Sequence, residues 1–266
     1  MIVDRDLVNR LETSAARVSA ATVAAFVARD AGDPARVRPW ASGAIVAFGP
    51  GRYVNRAVGV TLDAIDDAGL DEIEAFFAAV GVAPSIEVAS WCPPELLDRL
   101  GRRGYTTSWF RNVYAMPLDE AVPTPHPNVG VREVVDATLP EWLELLAAGN
   151  EIERPEDRVV SDEFARAVHA VAGATDFVAD LDGAPLGCGS LVRDDGIGWL
   201  GGAATAPTGR RRGVQTTLLR HRMAVAARSG CDIVAATARP PGDSARNLSR
   251  LGFTLAYTQV VMTCHR

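Results

Sequence analysis

The alternation of apolar and polar positions divides the chain into elements before any single residue needs attention. Leu7, Leu11, Val18, Val23, Phe26 and Val27 recur at helical spacing, which predicts one helix or two over about residues 4 to 30. The apolar run Gly43–Phe48 stops at Gly49-Pro50-Gly51 and reads as a strand followed by a turn. Tyr53–Val60, Ile86–Ala89 and Thr106–Met116 read as further strands, and Asp71–Val80 and Glu95–Leu100 as helices. Beyond residue 128 the alternation resumes. Helices are predicted at Trp142–Ala148, Asp162–Val171, Val214–Arg228 and Ser244–Leu251. Phe177–Leu181 and Leu186–Val192 form a predicted hairpin turning at Asp182-Gly183, and Trp199–Thr205, Cys231–Thr237 and Phe253–Thr263 complete the strands.

The segment Pro117–Asn128 holds four prolines in twelve residues, too many for helix or sheet hydrogen bonding. It separates halves of similar size, so the chain reads as domains 1–118 and 129–266 joined by a Pro-rich linker, 119–128. The halves also echo one another. Val88-Ala89-Ser90-Trp91-Cys92-Pro93-Pro94 precedes Leu100 and Gly104-Tyr105-Thr106. Val234-Ala235-Ala236-Thr237-Ala238-Arg239-Pro240-Pro241 precedes Leu248 and Gly252-Phe253-Thr254. A duplicated α/β unit is the expectation.

Composition narrows the class. With 48% hydrophobic and 23% charged residues, the 266-residue chain has the balance of an ordinary globular protein. The net charge of −6 disfavours nonspecific binding to nucleic acid or anionic membrane. Every Lys/Arg cation is arginine, which removes lysine as a catalytic base. Cys92, Cys188, Cys231 and Cys264 are scattered and signal neither a zinc site nor a disulfide framework, so no metal is expected. The N-terminal residues lack a signal-peptide pattern and no apolar run is long enough to span a bilayer, so a cytoplasmic protein is expected, monomer or homodimer.

The candidate chemistry lies in Trp199–Leu219. A strand of small residues runs into Pro207-Thr208-Gly209, then Arg210-Arg211-Arg212-Gly213, then the start of a helix. A helix N-terminus offers unpaired N–H groups and the positive end of the macrodipole. Gly213 allows close backbone approach, the arginines add forked donors, and Thr216 and Thr217 add hydroxyls. The pattern suits a diphosphate, yet it is neither a Walker loop nor a three-glycine dinucleotide fingerprint.

Arg210-x-x-Gly213-x-Gln215 resembles the R/Q-x-x-G-x-G/A signature of the GCN5-related N-acetyltransferases (GNAT), and Thr205-x-Pro207 resembles the strand end that precedes it. Asn247-Leu248-Ser249-Arg250-Leu251-Gly252-Phe253 resembles that family's late helix with its Gly-Phe ending. The resemblance covers about residues 129–264, with residues 1–118 similar to a second, degenerate copy. It implies an α/β (α+β) fold of two tandem GNAT-like units, each a mixed, mostly antiparallel sheet flanked by helices. It implies acetyl-CoA as substrate, with the backbone of Arg211, Arg212, Gly213, Val214, Gln215 and Thr216 around the pyrophosphate and Arg210 beside it. Ala203, Ala204 and Thr205 would pair with the pantetheine arm, on a strand that splays from the next one, and Asn247 and Arg250 would line the far side. Gln215 stands where the signature prefers Gly or Ala, and Leu248 where many members carry a thiolate-protonating tyrosine.

The expected reaction moves an acetyl group to an amine of a small molecule or peptide. Catalytic candidates are Glu151, in a loop that shapes the acceptor site in that family, and Ser244 and Tyr257 as replacements for the missing tyrosine. The alternatives are an acyl-CoA-binding regulator without turnover and a transferase of another acyl group. In the first half, Asp63, Asp66, Asp67, Asp71 and Glu72 precede or open the corresponding helix, and this carboxylate cluster is expected to repel phosphate. His126, His169, His221 and His265 read as isolated.

Overall fold

The computed structural model describes residues 1–30, 32–118 and 128–265. Apart from Asn128, the Pro-rich linker lies outside the described residues, as does His126. Along the chain run α1 (Arg5–Arg29), β1 (Arg36–Trp40), β2 (Gly43–Ala47), β3 (Arg56–Val58), α2 (Asp67–Val80), β4 (Ser85–Ala89), α3 (Pro94–Arg102) and β5 (Tyr105–Pro117). Then come β6 (Val129–Glu133), α4 (Leu139–Gly149), α5 (Pro155–His169), β7 (Ala174–Leu181), β8 (Ala184–Asp194) and β9 (Ile197–Thr205). The last elements are α6 (Val214–Arg228), β10 (Ile233–Ala238), α7 (Asp243–Arg250) and β11 (Thr254–Cys264).

Two compact units result, and they are not consecutive along the chain. One comprises Met1–Tyr114, Thr237–Ser249 and Phe253–Arg266; the other comprises Ala115–Ala236 and Arg250–Gly252. The C-terminal strand therefore belongs with the N-terminal elements. The linear sequence carries no mark of this, because strand pairing is fixed by non-local contacts.

In the first unit β1, β2 and β3 are antiparallel neighbours, β3 and β4 are parallel, and β11 lies antiparallel to β4 with Val261 opposite Glu87. Its core joins Ile45, Ile73, Phe77, Ile86 and Leu100 to Met262 and Cys264. Asp66 caps α2 through the Gly69 N–H at 2.8 Å, and Gly81 ends that helix in the left-handed conformation.

In the second unit β6, β7, β8 and β9 are antiparallel in order, and β10 runs parallel to β9. Asp182 and Gly183 both have positive φ (52° and 81°), as a two-residue hairpin turn requires. Trp142, Leu143, Leu146, Val178, Cys188 and Ala204 form the core between α4 and the sheet. Each unit is thus a mixed, mostly antiparallel sheet flanked by helices. Among the described residues, no helix is long and apolar enough to cross a membrane.

Candidate active site

In the second unit β9 and β10 pair only at Ile197–Ile233, Gly198–Val234 and Trp199–Ala235. Beyond Trp199 the β9 register continues on its β8 side alone, through to Thr205. Gly201, Gly202 and Ala203 are exposed along this stretch. An added Cβ on Gly201 would meet nothing within 4 Å. The strand edge is therefore free to take an extended partner. At its end, Gly149 of α4 sits so close that a Cβ there would lie 2.6 Å from the Ala204 Cβ and 2.8 Å from the Thr205 nitrogen.

A short 3-10 turn, Pro207–Gly209, leads into Arg210, Arg211 and Arg212, all exposed. Arg211 has φ 62° and Gly213 φ 84°, two left-handed residues in three positions, the first of them strained. Gly213 is the N-cap of α6 and offers no side chain to it; no acidic residue stands in the first turn. The positive end of this helix is left to whatever approaches it.

The three arginines do different things. Arg210 donates to Glu151 Oε1 (2.7 Å) and to the carbonyls of Gly149 (3.2 Å) and Thr205 (3.4 Å). Arg212 reaches Asp182 in the β7–β8 turn at 3.3 Å. Arg211 makes no ion pair among the described residues, which leaves its guanidinium for an incoming anion. Glu151, itself at φ 55°, is held by Arg210.

Of the residues singled out in the sequence, Ala203–Thr205, Arg210–Thr216, Glu151 and Arg250 fall in this unit, whereas Ser244, Asn247 and Tyr257 fall in the other. Ser244 is exposed on α7. Tyr257 is buried; its hydroxyl donates to Glu12 Oε1 at 2.6 Å, and burial pushes it well above the usual tyrosine range. That proton is committed inside the first unit.

The matching position of the first unit is closed. β3 and β4 pair at Ala57–Ile86, but past Val58 the buried Thr61 hydroxyl accepts from the Ala89 N–H (3.1 Å) and contacts the Glu87 carbonyl at 3.4 Å. The N-terminus of α2 is occupied by the Asp66 carboxylate. Arg103 pairs with Asp67, Asp71 and Glu74, and Arg38 pairs with Glu72, so in these pairs two cations meet four carboxylates and the cluster stays acidic. The Asp66 cap and the Thr61 bridge add a closure that the sequence did not reveal.

The sequence also missed two groups. His169 is not isolated: Nδ1 lies 2.7 Å from Asp176 and Nε2 lies 3.1 Å from Asp136. Arg222, unremarkable in an Arg220-His221-Arg222 run, is fully buried under β8 and β9. Its only sequence signal is its place on the helix face shared with the buried Leu218 and Leu219. His221 packs its ring against Phe177 at 5.3 Å, and burial lowers its pKa. All four cysteines are free, and burial pushes the Cys188 thiol up to about 12. Among the described residues, no group of three or more His, Cys, Asp or Glu is placed to hold a metal.

Residues 139–253 match the model of the acetyltransferase (GNAT) family. A GCN5-related N-acetyltransferase from Kribbella flavida superposes with a TM-score of 0.68 at 19% identity, over 95% of this chain and 96% of that one. A tandem GNAT protein from the clavulanic acid biosynthesis pathway gives 0.64 at 14% identity, over 99% and 96%. A GCN5-related N-acetyltransferase from Sphaerobacter thermophilus gives 0.58 at 17%, over 94% and 91%. At these identities the structures establish that the fold extends over nearly the whole chain. No curated protein matches it in sequence.

Proposed function

We propose that the chain transfers the acetyl group of acetyl-CoA to an amine of a small molecule or peptide, and that the second unit does so. One juxtaposition carries the reading: the free edge of β9 begins where β10 leaves it and ends two turns before an uncapped, positively flanked helix start. An extended thiol arm ending in a diphosphate suits these features in that order. Backbone N–H groups at Gly213, Val214 and Thr216 with Arg211 would take the phosphates, and Gly201–Thr205 would line the arm. The first unit, with its self-capped α2 and its Thr61 bridge, has no equivalent and serves as a degenerate copy.

The chemistry asks little of side chains. The amine attacks as the free base; its lone pair forms the N–C bond while the C–S bond breaks, and the amine proton ends on the departing thiol. Negative charge develops on the carbonyl oxygen, and a backbone N–H on the β9 edge would receive it. No acid or base stands on Ile197–Thr205. Of the loop carboxylates Glu151 and Glu153, Glu151 is the one bonded to Arg210, which also contacts the Thr205 carbonyl at the strand end. Glu151 is proposed as acceptor-binding, on the ground that Arg210 bonds only its Oε1 and leaves the other carboxylate oxygen to accept from an amine.

Calorimetric titration with acetyl-CoA, followed by turnover across an amine panel, tests the proposal. Binding with turnover supports it, and binding without turnover favours the regulator reading. Tighter binding of a longer acyl-CoA would favour transfer of another acyl group.

A further inference from the structure

The β8–β9 ladder is broken at the point where β9 becomes free. Cys188 pairs with Ala204 and Ser190 with Gly201, so Gly189 alone faces Gly202 and Ala203. This is a β-bulge, and both of its glycines have stated causes. Gly202 has φ 54°, and a Cβ there would lie 2.6 Å from Ser190 Oγ and 3.1 Å from Trp142. A Cβ on Gly189 would lie 2.8 Å from the guanidinium carbon of Arg222. The side chain of Arg222 fills the slot that Gly189 leaves.

Arg222 is fully buried. Its Nη1 donates to the carbonyls of Ser190 (2.9 Å) and Gly201 (3.0 Å), and its Nε lies 3.4 Å from the Leu218 carbonyl. Nη2 has no partner. No carboxylate pairs with it among the described residues. The buried Asp176 carboxylate acts on it through space without a direct ion pair, so the guanidinium remains costly to bury, and a methionine would fill the same volume without that cost. Packing alone does not account for the residue. Burial lowers its pKa only to about 10, so the charge persists at neutral pH.

We infer that Arg222 is a positioning residue of the acyl site: its guanidinium holds the β9 bulge through the Ser190 and Gly201 carbonyls and places a positive charge behind the free strand edge where the acyl carbonyl is received. The inference rests on the proposed function and deepens it. A hydrogen bond to the Gly201 carbonyl withdraws electron density from the Gly201–Gly202 peptide, which strengthens that peptide's N–H as a donor. The same positive charge favours the negative charge that develops on the acetyl oxygen as the amine adds, and it is fixed in place beforehand.

The test uses the full chain and acetyl-CoA isotope-labelled at its carbonyl carbon, read by infrared difference spectroscopy and by calorimetry. Bound to the wild type, the carbonyl stretch moves to lower frequency. In Arg222→Met the dissociation constant stays within about threefold while most of that shift is lost. Gly189→Ala, which crowds the guanidinium and retains the arginine, gives the same loss and serves where Arg222→Met does not fold. An unchanged shift in whichever variant folds overturns the inference alone, as does a shift lost only in step with affinity. A wild type that binds no acetyl-CoA overturns the proposed function as well.

Discussion

Tyr257 donates its hydroxyl to Glu12 at 2.6 Å, a bond between the last strand and the first helix. Gln259 donates to the same oxygen at 2.6 Å, while Glu12 Oε2 is buried without a partner. Glu87 and Arg111 stand close by, the latter donating to both Gln259 and Glu87. Burial raises the Glu12 carboxyl to about 7, against the hydrogen bond from Tyr257. The folded state therefore holds the proton more tightly than the unfolded chain does. Stability from this group is fully present below pH 4.5 and is lost as the pH rises through about 7. The Glu12→Gln variant removes this titration. Urea unfolding should show wild type losing up to roughly 3 kcal/mol relative to the variant between those limits. A pH-independent difference between the two proteins would refute the prediction.

The uncapped start of α6 can be made to resemble the self-capped start of α2. Asp and Asn both tolerate the left-handed conformation that Gly213 adopts. Gly213→Asp places a carboxylate where phosphate is proposed to bind, and Gly213→Asn places an uncharged group of the same shape. Calorimetry should find acetyl-CoA affinity about 100-fold lower (roughly 3 kcal/mol) in the aspartate variant than in the asparagine one. Equal affinities would move the phosphate site elsewhere.

Arg211 and Arg210 should separate by function. Arg211 makes no ion pair among the described residues, so Arg211→Ala is expected to weaken coenzyme A binding about tenfold. Arg210 is already engaged with Glu151, Gly149 and Thr205. Arg210→Ala should change coenzyme A affinity by less than about threefold and act mainly on KM for the amine. The opposite ranking would place the phosphates against Arg210.

His169 supplies a second pH dependence. Although burial lowers its pKa, the hydrogen bonds with Asp176 and Asp136 outweigh this, and the net shift is upward. Its contribution is full below the ordinary histidine value and declines as the pH rises through the raised one. His169→Gln should be destabilised most in mildly acidic solution and approach wild type in alkaline solution. Thermal unfolding as a function of pH checks this, and a gap that widens with pH would contradict it.

The sequence disclosed what short-range pattern encodes. Val214–Arg228 and the Asp182-Gly183 turn were legible because helical periodicity and left-handed turn residues are local signals. β1, Arg36–Trp40, escaped because a largely exposed strand of Arg-Val-Arg-Pro-Trp has no apolar run. The predicted strand from Tyr53 shrank to Arg56–Val58, since Asn55 turns the chain just before it by bonding the Phe48 and Gly49 N–H groups. α5 starts at Pro155, seven residues before its apolar pattern begins. In the candidate site, the Arg-Gly corner is a local pattern visible in the sequence. Arg222 and the pairing of Arg210 with Glu151 are not, because both depend on residues brought together across thirty or more positions.

The position of β11 bears on how the molecule is made. Ribosomes release the chain from its N-terminus, and the strand that lies against Glu87 and supplies Tyr257 to Glu12 follows that helix residue by 245 positions. Until β11 has been made, β4 lacks its antiparallel neighbour and Glu12 lacks both of its hydrogen-bond donors, Tyr257 and Gln259. The first unit therefore closes only after the β6 to β9 segment has been synthesised.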